Sequence, residues 1–248
     1  MSEDAPVHRM EQWQRALLEG AAELGIGIPT EWVDAFRTHF EMLLLHNPRA
    51  GLTTITDPGE IAVKHFLDSL AGLLVREVRD GERVADVGSG GGFPGMVFAV
   101  ARPQARYTLI ESNQRRAAFL RKLVDALGLK NTAVIAERAE QSGRDVDHRG
   151  SYDLVLSRAV APLPVLLEYC LPLAAIGGDV LAYKGPDAEG EVAESAQALS
   201  ALGGRVTELR RLSLPQHMGE RVLVLIEKTA PTPDRYPRRP GMPVKRPL

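Results

Sequence analysis

The chain has 248 residues, 44% of them apolar and 25% charged, a balance that fits a folded globular protein and excludes a disordered or fibrous one. One cysteine, Cys170, rules out an internal disulfide, and six scattered histidines without a His-Glu-x-x-His run predict no metal centre. The net charge of −2 hides a split: residues 229–248 hold five basic residues and one acid, a local +4, which leaves −6 on the rest.

The acidic start, Ser2-Glu3-Asp4, lacks the apolar core of an export signal. No apolar run nears the ~20 residues that span a bilayer. Together with the lone cysteine, this predicts a cytoplasmic protein with no membrane contact. The first 80 residues read as a helical extension. Trp13, Leu17, Ala21 and Leu24 line one helical face, and Val33, Phe36, Phe40, Leu43 and Leu44 line a second. Gly25 and Gly27 separate the two helices, and Asn47-Pro48-Arg49-Ala50-Gly51 predicts a break in the second. Asp57-Pro58-Gly59-Glu60 has the order of a cap, a first-turn proline and a third-position glutamate, opening a helix to about Leu74. Lys64, His65 and Asp68 share its surface. Lys64 is spaced to pair with Asp68 as a helical ion pair.

From residue 83, strands and helices alternate. Strands are predicted at 83–87, 106–111, 132–136, 152–157 and 178–184, with the clearest helix at 113–127 and Gly128 just past its end. This order demands a mostly parallel sheet covered on both faces. Two further strand-like runs, 205–212 and 221–228, are joined by a short loop and pair antiparallel. The fold class is therefore α/β, Rossmann-like, closed by an antiparallel C-terminal hairpin. The sheet domain spans 81–229 and follows the helical extension 1–80. Residues 230–248 form a basic tail with six prolines in its length, unsuited to regular helix or central strand.

The first strand runs into Asp86-Val87-Gly88-Ser89-Gly90-Gly91-Gly92-Phe93-Pro94-Gly95, and the second ends at Glu111, 23 residues after Gly88. Glycines let a backbone turn tightly and approach a ligand. A carboxylate ending the next strand suits ribose hydroxyls. Gly90, Gly92 and Gly95 also satisfy the dinucleotide pattern. Two details favour S-adenosylmethionine over a nicotinamide nucleotide. Asp86 would repel a pyrophosphate but can orient the glycine loop and a cationic methionine end. The loop is also wide, with Pro94 at a first helical position. A nicotinamide-dependent oxidoreductase would need a proton-relay pattern such as Tyr-x-x-x-Lys, and the chain has none.

Ligands bind at the carboxyl ends of such strands. The third strand end offers Glu137-Arg138-Ala139-Glu140 beside an adenine. The fourth offers Ser157-Arg158-Ala159, and the fifth Tyr183-Lys184-Gly185. Arg158 and Lys184 are thus expected at the open rim, as the catalytic pair. The fourth strand end lacks the Asn/Asp-Pro-Pro-aromatic loop of adenine amino methylation. Cys170 lies in an apolar segment and reads as packing, not as a nucleophile for pyrimidine carbon 5. An acceptor with a free lone pair remains, such as guanine nitrogen 7, which needs positioning and not a base.

These residues resemble the GidB (RsmG) family, bacterial small-subunit ribosomal RNA guanine-N7 methyltransferases, over nearly the whole chain. The resemblance rests on Leu52-Thr53-Thr54-Ile55-Thr56, Lys64-His65-Phe66-Leu67-Asp68-Ser69-Leu70, residues 86–95, Arg138-Ala139-Glu140, Ser157-Arg158-Ala159 and Lys184-Gly185. Tyr236-Pro237-Arg238-Arg239-Pro240-Gly241 resembles the tail of one branch. The resemblance implies cofactor contacts at Gly88, Phe93, Glu111, Ala139, Glu140 and Arg158, to which Asp86 and Gly90 add themselves by position. It implies a target in 16S ribosomal RNA of the small subunit. RNA contacts are then expected at Lys64, His65, Lys184, Arg238 and Arg239, in a chain acting as a monomer. The alternative for the tail is an extended strap along the domain. One departure is Gly51-Leu52-Thr53, where the family commonly has Asn-Leu-Thr. A ribosome-assembly factor with a degenerate cofactor site is the remaining alternative, and the intact glycine loop and Glu111 argue against it.

Overall fold

The computed structural model describes residues 4–248; the Ser2-Glu3 part of the acidic start lies outside them. Two long helices open the chain, α1 (Asp4–Glu23) and α2 (Thr30–Ala50). Their apolar stripes meet: Trp13 stacks on Phe40 at 5.1 Å between ring centres and meets Phe66 edge-on at 5.4 Å. The break predicted over 47–51 falls at the last residue of that run. Helix α2 runs through Pro48 to Ala50 and ends on Gly51, whose φ of 59° is the left-handed cap. Pro48 lies in the last turn, and the Asn47 side chain takes over the ending: its Oδ1 accepts the amides of Leu52 and Thr53 at 2.8 and 2.9 Å. Gly51 therefore explains the departure from the Asn-Leu-Thr pattern. A left-handed cap suits glycine or asparagine alike, so the position needs its backbone conformation and not a side-chain amide.

The predicted 57–74 helix exists but is not regular. Asp57 caps α3 (Pro58–Ile61) by accepting the Glu60 amide at 2.8 Å. A π-helical turn (Ala62–Leu67) follows, then α4 (Asp68–Ala71) and a short 3-10 turn (Gly72–Leu74). In the π turn the Asp68 amide reaches the Val63 carbonyl, five residues back.

The sheet has seven strands: β1 (Arg83–Val87), β2 (Arg106–Ile110), β3 (Thr132–Ile135), β4 (Tyr152–Arg158), β5 (Ala174–Lys184), β6 (Gly204–Ser213) and β7 (Glu220–Lys228). Their order is β3-β2-β1-β4-β5-β7-β6. The first five are parallel, and β7 inserts antiparallel between β5 and β6. The helices α5 (Gly95–Ala101), α6 (Gln114–Ala126), α7 (Ala139–Ser142), α8 (Leu163–Cys170), α9 (Ala188–Glu194) and α10 (Ala196–Leu202) connect them. Pro94, predicted at a first helical position, is instead the N-cap of α5, one place before its first helical residue Gly95.

Strand alternation divides the core. Ala85 and Val87 face one cluster with Val155, Val180 and the α8 residues Leu166 and Cys170. On the other side, Leu109, Met96 and Phe119 join Trp13, Phe36, Phe40 and Phe66 in a second cluster, so the N-terminal helices share a continuous core with the sheet. Cys170 is fully buried, and burial pushes its thiol pKa well above the ordinary value, in keeping with a packing role. Among the described residues no helix is long and apolar enough to cross a membrane.

The tail packs along the domain as a strap, with Arg235, Arg239, Lys245 and Arg246 left exposed. Lys228 Nζ donates to the Leu202 carbonyl at 2.6 Å and to Thr232. Arg149 donates to the carbonyls of Thr232 and Tyr236 at 2.7 and 2.8 Å. Arg238 grips the fully buried Glu168 through both carboxylate oxygens at 2.6–3.1 Å. The strap ends in α11 (Met242–Lys245), a single turn.

Candidate cofactor and substrate site

Two depressions lie along the carboxyl ends of the parallel strands. A crevice of about 200 Å³ is lined by Gly88, Ile110, Ala139, Glu140, Val160 and further residues. A groove of about 550 Å³ is lined by Lys64, His65, Asp68, Arg158, Lys184 and Arg221 among others. The β4–α8 turn separates them, Arg158 facing the groove and Val160 the crevice. Between these two, Ala159 has a φ of 56°. A non-glycine residue there is strained, a cost that clusters at functional sites.

The glycine loop is shaped by close approach. Gly88 has a φ of 76°, and a Cβ there would sit 2.5 Å from Val160 Cγ2. A Cβ on Gly95 would lie 2.6 Å from Asp86 Oδ2. Asp86 is buried, and Oδ2 accepts the Gly95 amide at 3.0 Å, so it does anchor the loop to the start of α5. Burial raises its pKa to about 7, and its Oδ1 has no hydrogen-bond partner among the described residues. Glu111 closes the loop from β2: Oε2 accepts the Gly90 amide at 3.0 Å and Oε1 the Asn113 amide at 2.7 Å.

Phe93 turns away from the crevice. Its ring stacks against His39 at 4.5 Å and His65 at 4.8 Å, with the Arg158 guanidinium 5.4 Å from its centre. Sequence reasoning missed His39, which sits on the buried face of α2 and hydrogen-bonds the Gly91 carbonyl at 2.7 Å. Burial lowers its pKa to about 4. An apolar stripe interrupted by one histidine was the only available signal.

Arg158 is held on every side. Its Nη1 donates to Asp68 Oδ2 at 2.9 Å and to the Lys64 carbonyl at 3.0 Å. That carbonyl lies four residues before Asp68, whose amide has gone to Val63. The π turn thus supplies a backbone acceptor to Arg158, in keeping with the habit of such turns to mark functional positions. Arg158 Nη2 lies 3.3 Å from His65 Nδ1, and His65 Nε2 lies 2.8 Å from Thr53 Oγ1. A guanidinium only donates, so Nδ1 accepts and Nε2 carries the proton. Burial, then the Arg158 charge, lowers the His65 pKa to about 3, so the ring is neutral at pH 7.

Several expected phosphate contacts carry no free charge. Lys64 pairs with Glu60 at 2.9 Å and not with Asp68. Asp68 instead bridges Arg158 and Arg221, the latter at 2.7 Å. Lys184 is buried, donating to Glu191 at 2.6 Å and to the Ala161 carbonyl at 3.0 Å. It therefore braces the β4–α8 turn and is no open-rim cation. Arg238 is spent on Glu168, while Arg239 is exposed. Two arginines around Asp68 leave a net +1 at the groove floor.

The chain matches the family model described as rRNA small subunit methyltransferase G (GidB) over residues 33–219. It is 47% identical to a ribosomal RNA small subunit methyltransferase G of Pelotomaculum thermopropionicum over 93% of this chain and 96% of that protein. It is 48% identical to one of Symbiobacterium thermophilum, covering 94% and 98%. Solved structures share the fold at low identity. A putative methyltransferase from Bacillus halodurans has a TM-score of 0.53 at 15% identity, covering 66% of this chain and all of that one. TYW2 of M. jannaschii, solved in complex with AdoMet, has a TM-score of 0.52 at 15% identity, covering 65% and 76%.

Proposed function

The chain belongs to the GidB family, and from this and the site geometry we propose that it transfers a methyl group from S-adenosylmethionine to ring nitrogen 7 of a guanine in 16S ribosomal RNA. The observation that carries the cofactor reading is the cradle around Gly88 and Asp86. Gly88 has no room for a Cβ, and the buried Asp86 keeps one carboxylate oxygen without a hydrogen-bond partner among the described residues. S-adenosylmethionine supplies an electrophilic methyl group on a sulfonium. The residues that would hold it are Asp86 and the loop at Gly88 and Gly90 for the methionine end, Glu111 for the ribose and Ala139 for the adenine. Phe93 acts through the histidines it stacks on.

Guanine nitrogen 7 bears no proton, so the groove needs no general base. Its task is in-line presentation of the purine. Arg158, fixed by Asp68, the Lys64 carbonyl and His65, is the positioned cation beside the Ala159 turn, and it orients the target. Lys184 holds that turn in place through Ala161 and Glu191. Neither an oxidoreductase nor a non-catalytic assembly factor is favoured. No metal takes part in this reading, and the chain works as a monomer in the cytoplasm, built as a helical extension (1–80), a sheet domain (81–229) and a strap (230–248). Incubation of the purified chain with methyl-labelled cofactor and small ribosomal subunits tests the reading. One N7-methylguanosine in 16S RNA, located by cleavage at the modified base, is the expected result. Label in protein, in another base or nowhere would refute it.

Glu111→Ala is expected to weaken S-adenosylmethionine binding by ~1.5–3 kcal/mol, the scale of hydrogen bonds to a charged acceptor. Calorimetry measures it, and unchanged affinity would assign the ribose to other groups.

RNA attraction then rests on cations outside the ion pairs. Arg49, Arg115 and Lys122 line a groove of about 540 Å³ between the end of α2 and α6. Among the described residues none of these three, nor Arg239, forms an ion pair. Arg115→Glu combined with Lys122→Glu should make the plot of log affinity against log salt shallower by roughly 1–2, the loss of two phosphate contacts. An unchanged slope in RNA-binding titrations would remove this groove from the RNA path.

A further inference from the structure

The strap does more than close the fold. Its last turn, α11, carries Val244 onto the lining of the crevice that holds Gly88, Ala139 and Val160. Val244 is 62% exposed and Val160 37% exposed, although most large apolar residues of this chain are buried. Both valines border the same narrow crevice and offer it apolar surface. The turn that carries Val244 is firmly seated. Glu140, itself buried, accepts the Gly241 amide at 3.0 Å through Oε1. Arg238, three residues earlier, has its own amide bonded to Glu168 at 2.7 Å in addition to the side-chain fork. Leu248 packs on the apolar cluster of the same sheet face.

We propose that residues 241–248 form a wall of the adenine subsite, with Val244 covering the purine and Glu140 acting as the residue that positions this wall. The proposal rests on the cofactor reading above. It changes the part given to Glu140. One of its carboxylate oxygens is committed to the strap, so its effect on the cofactor runs through Val244 at least as much as through a direct contact. The purine fits because its faces are apolar and its edge is polar. The valines meet a face, and the backbone of residues 137–140 is available to the edge. The wall lies beyond the region matched by the family model, which stops at residue 219. Adenine recognition in this chain is therefore partly built from a segment outside that matched core.

The test uses the full chain with single changes at the exposed Val244, a position whose replacement leaves the buried anchors Glu140 and Glu168 untouched. Binding of S-adenosylmethionine, S-adenosylhomocysteine and adenosine is measured by calorimetry, and melting is followed without ligand. Covering a valine is worth ~1.5 kcal/mol or more, close to a tenfold change in affinity. Val244→Asp and Val244→Gly should each weaken all three ligands about five- to tenfold at an unchanged melting temperature, and Val244→Leu should restore affinity. Adenosine must share the loss, because it carries the purine without the methionine. Wild-type affinity in both Val244→Asp and Val244→Gly would overturn the wall while leaving the cofactor reading intact. Tighter binding by Val244→Gly would also overturn it, since α11 would then be an obstruction. A wild-type chain that binds neither S-adenosylmethionine nor S-adenosylhomocysteine would overturn the cofactor reading, and this proposal with it.

Discussion

Asp68→Ala is expected to cost about 3–5 kcal/mol of stability, the penalty for removing one partner from a buried ion pair. Asp68 is buried and receives Arg158 at 2.9 Å and Arg221 at 2.7 Å. Without it two guanidinium groups share a confined space with no carboxylate between them. Melting should fall by roughly 6–20 °C, from the ~2–4 °C per kcal/mol usual for a chain of this size. Methyl transfer should fall further than stability explains, because Arg158 loses the contact that fixes it beside the β4–α8 turn. Asp68→Asn keeps the shape and one acceptor, and should be intermediate in both readouts. An Asp68→Ala protein that melts and methylates like the wild type would show that Arg158 is positioned by the Lys64 carbonyl and His65 alone.

Gly88→Val should abolish S-adenosylmethionine binding, with a loss of at least about 100-fold, or ~2.7 kcal/mol. Two effects combine. A branched side chain at a φ of 76° is strained, and its Cβ would lie 2.5 Å from Val160 Cγ2. Relief requires movement of the turn that divides the crevice from the groove. The fold should survive, since Gly88 ends a strand whose core residues Ala85 and Val87 are untouched. Circular dichroism and calorimetry on the same sample separate the two consequences. Normal binding would mean that the cofactor avoids the β1 end altogether.

The sheet was legible because its signals are local. Five strand predictions lie close to the observed ones, Gly128 ends its helix, and the antiparallel hairpin follows from a short loop between two apolar runs. The insertion of β7 between β5 and β6 is a long-range choice that no local pattern encodes. The site was legible as a set of backbone positions and much less as a set of side-chain partners. Asp86, Gly88 and Glu111 stand where a strand-end argument puts them. The partners of Asp68 lie 90 and 153 positions away, and helical spacing suggested Lys64 instead. The resemblance put Arg238 among the RNA contacts, whereas it is bound to Glu168, an acid hidden in an apolar run of α8. The break signalled by residues 47–51 falls at Gly51, and the Asn47 side chain, not Pro48, closes the helix end. The π turn has no residue signature of its own, so a regular helix was the natural expectation over 57–74.

That turn sets the rotational phase of everything after it. Each residue of an α-helix advances about 100° around the axis. One extra residue in a turn therefore rotates the following segment by about that angle relative to an uninterrupted helix. Before the turn, Asp57 and Ile61 face α1 and the aromatic core. After it, Asp68 faces Arg158, the Ser69 carbonyl receives the Tyr183 hydroxyl at 2.8 Å, and Gly72 leaves space for that same tyrosine. A single helix thus serves two surfaces that a uniform one would present out of step. Loops elsewhere in the chain absorb a gained or lost residue locally. Between positions 62 and 67 a one-residue deletion would swing the carboxylate of Asp68 away from both arginines while leaving Asp68 and both arginines themselves unchanged.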